Sequence, residues 1–402
     1  MDYIGYKVQL FPNKNQIELL TEYFGASRFV YNLGIDLEEK EYLENKGFLN
    51  KIDISTKFTE LRKNFKWLQK YETSAMRLAL HTVVEGYSLF FKKYNKKPKK
   101  KTKKDIYQST AVRNDRIYIG ENEITFPGGI GTMKCGNLPS NYIIGKSNKT
   151  SKDPRPVKSY YHTRIIFDGL NYYFTFQMES TDSNPIKCVE KYGTVQNPKI
   201  QSIGIDLGFG HKYDNWIVDS TGYRMAKPDS TKDRKRLKKL SKKYNRQLRT
   251  KTDDIRSNNM KKTIAKINKT YQKITNRKKN AIHNYVNHHI IPAQPETVVL
   301  EDLKILDMVC KDKSMPYKDR CKFNDLLIDA SFGIIREIIT YTCQNAGIEI
   351  ILAPDGYKST QMCSSCGHEH KMGRNRIFKC PNCGLVIDRD ENSALNLAKY
   401  AI

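Results

Sequence analysis

Cys363-Ser-Ser-Cys366 and Cys380-Pro-Asn-Cys383 stand thirteen residues apart, and Ile387-Asp-Arg-Asp390-Glu-Asn-Ser-Ala-Leu-Asn-Leu397 follows them. Two Cys-x-x-Cys turns at this spacing are typical of a zinc ribbon, in which four thiolates surround Zn²⁺ as a tetrahedron. We therefore predict zinc binding by Cys363, Cys366, Cys380 and Cys383. The alternatives are two disulfides or four unrelated thiols.

Asp390 stands at the head of a predicted helix. Aspartate is a favoured N-cap, and Glu391 in the first turn suits the helix dipole. This stretch alone therefore favours a capping role for Asp390, and only carboxylates elsewhere in the chain argue for a second role.

The charge distribution indicates a partner that is a polyanion. The chain has 402 residues, of which 39% are hydrophobic, and a net charge of +27. Lys92–Lys104 holds nine lysines and no acid, and Lys232–Lys279 holds twenty Lys/Arg and three acids. Two basic segments on otherwise balanced domains are typical of nucleic-acid binding. The alternative, a solvated helix face plus a flexible tail, explains solubility but not this one-sided excess.

Hydropathy and cysteine usage indicate a cytoplasmic protein. We find no apolar run near the roughly 20 residues of a membrane span and expect no secretory leader or membrane partner. Four of the nine cysteines have a metal explanation. The remaining five are scattered and are expected to be reduced: Cys135, Cys188, Cys310, Cys321 and Cys343.

The N-terminal half begins with one predicted strand and continues with helices. Tyr3–Phe11 alternates as a strand, and apolar residues then recur at helical spacing from Ile17 to Leu37. A second amphipathic helix is predicted from Thr73, its expected cap, to about Tyr94. It should end before Pro98.

Residues 105–180 carry the composition of short strands. Four segments are rich in β-branched and aromatic residues: Arg116–Ile119, Glu123–Phe126, Arg164–Phe167 and Tyr172–Met178. A small β-barrel would explain them, and the strand at residues 1–12 could join it, with the helices of residues 13–104 inserted between. Residues 181–197 are expected to form a linker.

Two apolar strands of the C-terminal half each end in a carboxylate, Ile203-Gly-Ile-Asp206 and Thr297-Val-Val-Leu-Glu301. With Asp390 they predict three acids at one sheet edge, where a divalent cation would remove their mutual repulsion. Oxygen ligands favour Mg²⁺ or Mn²⁺, and two such ions suit phosphodiester hydrolysis. We therefore predict Asp206, Glu301 and Asp390 to be catalytic metal ligands.

The second basic segment is predicted to form a helical hairpin within residues 226–292, with its turn at Asp253–Asn259. Met260, Ile264, Ile267, Tyr271 and Ile274 repeat at four-three-four-three spacing, which indicates a packed seam. Basic side chains must then cover the outer faces. We predict nucleic-acid contacts by residues of both basic segments: Lys238, Lys242, Arg246, Arg249, Lys99, Lys100 and Lys103.

The three carboxylate motifs resemble those of the TnpB (OrfB) family of transposon-encoded, RNA-guided nucleases, which are related to compact type V CRISPR effectors. Ile203-Gly-Ile-Asp206-Leu-Gly, Val299-Leu-Glu301-Asp-Leu and Asp390-Glu-Asn-Ser-Ala-Leu-Asn resemble its RuvC motifs. Arg28-Phe-Val-Tyr-Asn32 resembles its N-terminus, and Ser359–Gly367 resembles its zinc-ribbon entry. The resemblance covers almost the whole chain.

The resemblance implies a multidomain α+β protein. A β-barrel wedge domain would comprise residues 1–12 and 105–180, with a helical recognition domain at 13–104. A RuvC-like nuclease domain of the RNase H type would follow the linker at 198–402. The basic helical hairpin (226–292) and the zinc ribbon (356–387) would be insertions into it.

The resemblance also implies an RNA-guided DNA endonuclease that cuts target double-stranded DNA with one metal-dependent site and acts in transposon maintenance. Its cofactors would be Mg²⁺ or Mn²⁺, Zn²⁺ and a guide RNA, in a prokaryotic cell at the nucleoid. A type V CRISPR effector and a guided DNA-binding repressor remain alternatives, and monomer and dimer both remain open. Among the departures from the family pattern, Ser393 stands where alanine is usual.

Overall fold

The structure is a computed structural model, and its two compact units are Met1–Pro185 and Ile186–Ile402. Both contain helices and sheets, so the chain is a multidomain α+β protein. Within the described part of the chain, no helix is long and apolar enough to span a membrane. The structure describes residues 3–103, 105–120, 122–136, 161–179, 195, 198–209, 215–249, 257–303, 308–309, 316–354, 356–371, 373 and 375–401. The predicted linker, except Val195, therefore lies outside the described residues.

Three helices of the first unit pack together: α1 (Lys14–Asn45), α2 (Lys51–Arg62) and α3 (Thr73–Phe91). The helix predicted from Thr73 is confirmed, and it ends before Pro98 as expected. The predicted cap is wrong, because Glu72 holds the N-cap position without a side-chain hydrogen bond. The Thr73 hydroxyl instead accepts a hydrogen bond from the Arg62 guanidinium at 2.5 Å. A short 3₁₀ helix, Lys66–Lys70, connects α2 to α3.

Seven strands of the first unit form one antiparallel sheet in the order β2-β6-β7-β1-β5-β4-β3. The predicted joining of the first strand to the later ones is confirmed, since β1 pairs with both β7 and β5. The prediction for Arg116–Ile119 is partly wrong, because a 3₁₀ turn occupies 114–116. The strands are β1 (Tyr3–Phe11), β2 (Gln108–Ala111), β3 (Tyr118–Ile119), β4 (Glu123–Phe126), β5 (Gly131–Cys135), β6 (Tyr161–Phe167) and β7 (Tyr172–Glu179).

The sheet curls strongly across its width. Phe126 of β4 and Phe174 of β7 have ring centroids 5.2 Å apart, although three strand spacings of about 4.8 Å separate β4 from β7 in the hydrogen-bonding order. A flat sheet would hold these strands about 14 Å apart. The curl encloses a core that includes Phe126 and Phe174.

The first lysine run is held along α1 instead of forming a free tail. The side chain of Asn32 bonds to the backbone of Lys101 at both its carbonyl, 2.9 Å, and its N–H, 2.8 Å. Lys97 pairs with Glu39 at 2.8 Å, and Lys100 pairs with Asp36. Part of the positive charge of this run is therefore neutralised by α1.

The second unit is built on a five-stranded sheet with the order β10-β9-β8-β11-β12. β8 (Ile200–Leu207), β11 (Pro295–Glu301) and β12 (Glu349–Ala353) are parallel, and β9 (Ile217–Asp219) and β10 (Arg224–Met225) complete an antiparallel hairpin. The two strands predicted to end in a carboxylate are therefore confirmed and adjacent.

Helices cover both faces of this sheet. On one face, Ile203, Ile205 and Leu300 pack into a large core with residues of the helices at Asn258–Tyr285 and Phe332–Asn345. On the other face, Val299 packs against Leu397. The helices are α4 (Thr231–Arg249), α5 (Asn258–Tyr285), α6 (Ile291–Ala293), α7 (Tyr317–Ala330), α8 (Phe332–Asn345) and α9 (Arg389–Lys399), with a π-helical turn at Val286–Ile290.

The basic helical hairpin is confirmed as α4 and α5, and most of the residues predicted for its turn lie outside the described part. The predicted seam is partly wrong. Met260 and Ile274 are buried, but Tyr271 is 56% exposed, and Thr263 and Thr270 are buried instead. Thr263 and Thr270 can be buried against the facing helix because their hydroxyls have partners within their own helix. Each donates to the carbonyl oxygen four residues earlier, at 2.9 and 2.8 Å respectively.

Candidate active site and metal centre

Asp206 and Glu301 lie side by side at the ends of neighbouring parallel strands. Leu300 is in register with Ile205, so the next residue of each strand, Glu301 and Asp206, falls at the same level and on the same face. Both strands are almost fully buried along this stretch. The pairing of β8 with β11 thus brings two of the three predicted acids together.

Helix α9 brings Asp390 to the same face. It crosses β8 at Gly204, where a Cβ atom would lie 2.1 Å from the Ala394 carbonyl oxygen and 2.2 Å from the Ala398 nitrogen. Gly204 and Asp206 share a face, since side chains alternate along a strand. This close approach, which only glycine permits, sets the first turn of α9 over the end of β8.

Asp390 is not the cap of its helix. Asp388 holds the N-cap position, and its side chain accepts hydrogen bonds from the N–H groups of Asp390 at 2.9 Å and Glu391 at 3.4 Å. Asp390 is only 3% exposed. The capping role that the stretch alone favours therefore belongs to Asp388, which leaves the Asp390 carboxylate for another purpose.

The charges of Glu301 and Asp390 act on Asp206. The pKa of Asp206 is raised well above its usual range, first by burial and then by the negative charges of Glu301 and Asp390. Burial also raises the pKa of Glu301, against the effect of a hydrogen bond from Ser359. The charged forms of these two carboxyls are thus disfavoured unless a cation is present.

Basic and amide groups surround Asp390. Arg376 Nη1 lies 2.6 Å from Oδ2, Arg389 Nη2 lies 3.2 Å from Oδ1, and Asn215 Nδ2 donates to Oδ2 at 3.1 Å. The spacing of the motifs gave no sign of Arg376 or Asn215, because both contacts depend on how separate segments fold back to the head of α9, where Arg389 is the neighbour of Asp390.

The four cysteines form a second, compact cluster. Cys363 Sγ lies 3.6 Å from Cys383 Sγ, and Cys366 Sγ lies 3.6 Å from Cys380 Sγ. These gaps are too long for disulfide bonds of about 2.05 Å, and they match the edges, about 3.8 Å, of a tetrahedron with Zn–S bonds of about 2.3 Å. Gly367 and Gly384 complete the two turns at φ of 73° and 75°.

The cysteine cluster is suited to a metal in its chemistry as well. Hydrogen bonds from the Asn382 side chain and the His368 backbone lower the pKa of the Cys366 thiol to about 6, which favours the thiolate that binds metal. Among the described residues, the cysteines are the group of potential ligands whose atoms all lie within 4.8 Å of one another. Asp206, Glu301 and Asp390 do not form such a group.

The cysteine cluster sits on a small ribbon that is tied to α9. Strands β13 (Ile377–Lys379) and β14 (Val386–Asp388) pair antiparallel. The Asn392 side chain donates to Met362 O at 2.7 Å, and that of Asn396 donates to Met362 O at 2.6 Å and to Ser359 O at 2.7 Å. Sequence reasoning missed both asparagines, although two polar residues four apart on a buried helix face could have signalled them.

The predicted nucleic-acid residues all lie on the surface but in different settings. Lys238, Lys242, Arg246 and Arg249 are exposed and follow one face of α4. Lys99 and Lys103 are exposed, whereas Lys100 is paired with Asp36.

Two family models match the chain at its two ends. A helix-turn-helix domain model of OrfB type matches residues 1–47, and the Cas12f1-like, TNB domain model matches residues 332–397. The first match covers β1 and α1. The second covers α8, β12, the ribbon and most of α9.

Relatives and a solved structure match over nearly the whole chain. A candidate RNA-guided DNA endonuclease of Streptomyces pristinaespiralis is 22% identical over 98% of this chain and 88% of its own length. A TnpB-like protein of Acanthamoeba polyphaga mimivirus is 23% identical over 98% of this chain and 73% of its own length. The fold resembles that of Cas12f1 in a complex with sgRNA and target DNA, with a TM-score of 0.57 and 14% identity over 96% of this chain and 83% of that one. The chain is therefore similar to TnpB proteins along almost its entire length, which confirms the resemblance to the TnpB (OrfB) family that the carboxylate motifs indicate.

Proposed function

We propose that this TnpB-like chain is an RNA-guided DNA endonuclease that hydrolyses target DNA at the site formed by Asp206, Glu301 and Asp390. The observation that carries the proposal is the register of β8 and β11, which sets two buried carboxylates at the same level with Asp390 beside them. The names of the relatives support the same activity. We also propose a role in transposon maintenance, which the resemblance to the TnpB family implies.

The donor set fits a divalent cation. Asp206 is a buried carboxylate whose pKa is raised by burial and by the charges of Glu301 and Asp390, and a cation among these groups would stabilise its ionised form. Beside Asp390, the side-chain oxygen of Asn215 is buried and has no hydrogen-bond partner among the described residues, and an amide oxygen is a ligand that hard cations accept. Asp206, Glu301 and Asp390 would hold Mg²⁺ or Mn²⁺, which supplies positive charge for the attacking and leaving oxygens of the phosphodiester.

Neighbouring side chains act on the three carboxylates of this site. Arg376 and Arg389 supply positive charge to Asp390, so a cation at this carboxylate competes with two guanidinium groups. The hydroxyls of Ser393 and Ser359 contact the carboxylates of Asp206 and Glu301, respectively. Asp388 keeps the first turn of α9 in place by capping it.

The domain assignment follows the same proposal. Residues 1–12 and 105–180 would form the wedge domain, 13–104 the recognition domain and 198–402 the RuvC-like nuclease domain. The insertions would be the basic hairpin at 226–292 and the zinc ribbon at 356–387, whose four thiols would hold Zn²⁺. Support comes from the curled sheet, the parallel sheet and the tetrahedral spacing of the sulfurs.

The partners would be a guide RNA and double-stranded target DNA. The exposed face of α4 and the lysine run along α1 supply positive charge for backbone contacts, as expected of a protein that leaves sequence recognition to base pairing. A solved structure of similar fold is a complex of Cas12f1 with sgRNA and target DNA.

A plasmid cleavage assay tests the proposal. The full chain, purified with its RNA, is incubated with Mg²⁺ and plasmids that carry or lack a sequence complementary to that RNA. We expect cleavage of the matched plasmid alone and none in EDTA. Matched binding without cleavage would instead indicate a guided repressor, and sequencing the RNA would separate a transposon-derived guide from a CRISPR-derived one.

A further inference from the structure

Two buried serines connect the carboxylates of Asp206 and Glu301. Ser393 Oγ lies 2.9 Å from Asp206 Oδ1 and can donate its single proton either to that oxygen or to Ser359 Oγ, whereas Ser359 Oγ donates to Glu301 Oε1 at 2.5 Å. The two hydroxyl oxygens lie 2.9 Å from each other. Ser393 is fully buried and Ser359 is 2% exposed, so water does not compete for these contacts.

Each serine is itself held by the surrounding structure. Ser393 belongs to the second turn of α9, next to Ala394, which meets Gly204 of β8. The segment of Ser359 is held by Asn396, which donates to Ser359 O at 2.7 Å, and by Tyr357, whose hydroxyl donates to Asn396 O at 2.9 Å. A hydroxyl fixed in this way selects one orientation of the carboxylate that accepts from it.

The contacts leave the other oxygen of each carboxylate for a ligand. Ser393 engages Oδ1 of Asp206 and Ser359 engages Oε1 of Glu301, and each carboxylate has a second oxygen. Hydrogen bonds to the outer oxygen of a metal-binding carboxylate fix its direction, and their loss typically costs about 10- to 100-fold in metal affinity.

We propose that the hydroxyls of Ser359 and Ser393 form a bridge that positions the carboxylates of Asp206 and Glu301 for a divalent cation. Both serines are then positioning residues, and the inference rests on the proposed function, because it assumes that these carboxylates bind metal.

Manganese binding tests the bridge. Free Mn²⁺ is measured by electron paramagnetic resonance during titration of the full chain, in wild type and in Ser393→Ala, Ser359→Ala and the double variant. We expect each single variant to bind Mn²⁺ about 10- to 100-fold more weakly. The double variant should be weaker than either single variant, since each hydroxyl contacts a different carboxylate.

Ser202→Ala is the matched control. Its hydroxyl donates to Ala398 O at 2.7 Å across the same interface of β8 with α9, but it does not contact a carboxylate. This variant should lose thermal stability and keep wild-type Mn²⁺ affinity. Equal weakening by Ser202→Ala would mean that the serines act only through the general stability of the interface.

Asp206→Ala separates failure of the bridge from failure of the proposed function. If Asp206→Ala loses Mn²⁺ binding while both serine variants bind like wild type, the bridge is overturned and the metal site stands. If Asp206→Ala binds Mn²⁺ like wild type, the proposed metal site is itself wrong. Should one serine variant fail to fold by circular dichroism, the other still decides, because each removes one end of the same bridge.

Discussion

Two individual aspartates, only two positions apart, have different surroundings. The Asp388 side chain accepts hydrogen bonds from N–H groups in the first turn of α9 and pairs with Arg224 at 3.2 Å. Asp390 is buried beside Asp206 and faces Arg376 and Arg389. The first arrangement stabilises a helix, and the second holds a carboxylate that we propose binds metal.

Substitution of these two aspartates should therefore have opposite consequences. We expect Asp388→Ala to lower the free energy of unfolding by about 1 kcal/mol, as loss of a cap does, and to retain cleavage. Asp390→Ala should abolish cleavage and retain guided binding. Thermal unfolding, plasmid cleavage and a mobility-shift assay measure the three properties, and normal cleavage by Asp390→Ala would contradict a metal role for it.

The raised pKa of Asp206 predicts a pH dependence in metal-free protein. Because the folded-state pKa lies above the unfolded one, the stabilisation from protonated Asp206 is fully present below the unfolded pKa. It is lost as the pH rises through the folded pKa, at up to about 1.4 kcal/mol per pH unit. Asp206→Asn cannot ionise and should escape this loss.

The measurement is urea unfolding in EDTA across the acidic to neutral pH range. The stability of Asp206→Asn relative to wild type should increase with pH, and Mg²⁺ should reduce the difference, since it binds the ionised carboxylate. Parallel curves for the two proteins would show that Asp206 has the same pKa in the folded and unfolded states.

Among the helices and strands, the approach of α9 to β8 depends on one glycine. The three atoms nearest to a Cβ at Gly204 would be backbone atoms of α9, the third of them at 2.8 Å, and backbone cannot move aside as a side chain can. At Gly5, in β1, a Cβ would have no atom within 4 Å, so that position has open space.

We expect Gly204→Ala to destabilise the second unit by about 3 kcal/mol, the upper part of the usual range for overpacking, and to abolish cleavage by displacing Asp390. Gly5→Ala is the control, since alanine in an open strand position should be neutral or slightly stabilising. Hydrogen exchange of β8 amides reports the local effect, and unchanged exchange in Gly204→Ala would contradict this packing.

The ribbon is a second element whose integrity the site requires. Its apolar core consists of little more than Phe378 and the cysteines, so a bound metal should supply most of its stability. Through Asn392 and Asn396 it also fixes the segment that carries Ser359.

We therefore expect Cys363→Ser and Cys380→Ser to lose the zinc, about one ion per chain, and to unfold β13 and β14 locally with loss of cleavage. Cys343→Ser, which changes a fully buried cysteine of α8, should keep its zinc. Metal analysis and hydrogen exchange are the measurements. Active wild-type protein that contains no zinc would contradict the assignment.

Across the whole molecule, most of the net charge of +27 falls within the two basic segments, 92–104 and 232–279. The structure places these two segments in different surroundings. The run at 92–104 gives part of its charge to Asp36 and Glu39. Lys238, Lys242, Arg246 and Arg249 are exposed and follow one face of α4, and this spacing of four cations along one helix makes α4 the better candidate for phosphate contacts.

Replacing these four residues of α4 with Gln should flatten the slope of log K against log salt by about three to four units. Affinity should fall alike for matched and mismatched targets, because phosphate contacts carry no sequence information. The control replaces four exposed lysines of the first unit, Lys14, Lys40, Lys63 and Lys66, and changes the net charge equally. Equal slopes for both variants would mean that only total charge matters.

Short stretches of the chain are enough to predict several parts of this protein. Two Cys-x-x-Cys turns, apolar strands that end in Asp206 and Glu301, and the helix that carries Asp390 all follow from periodicity and spacing, since each pattern is complete within a few residues. The resemblance to TnpB proteins rests on the same short motifs.

The contacts between those parts could be known only from the folded chain. That Asp388 caps α9, that Arg376 faces Asp390, and that Ser359 and Ser393 join two carboxylates depends on how loops, strands and helices meet. The threonine seam of α5 likewise reflects the helix it packs against. Hydrogen bonds across a buried interface form at particular distances, and those distances are set by strand register and by the close approach at Gly204, which no local pattern of residues encodes.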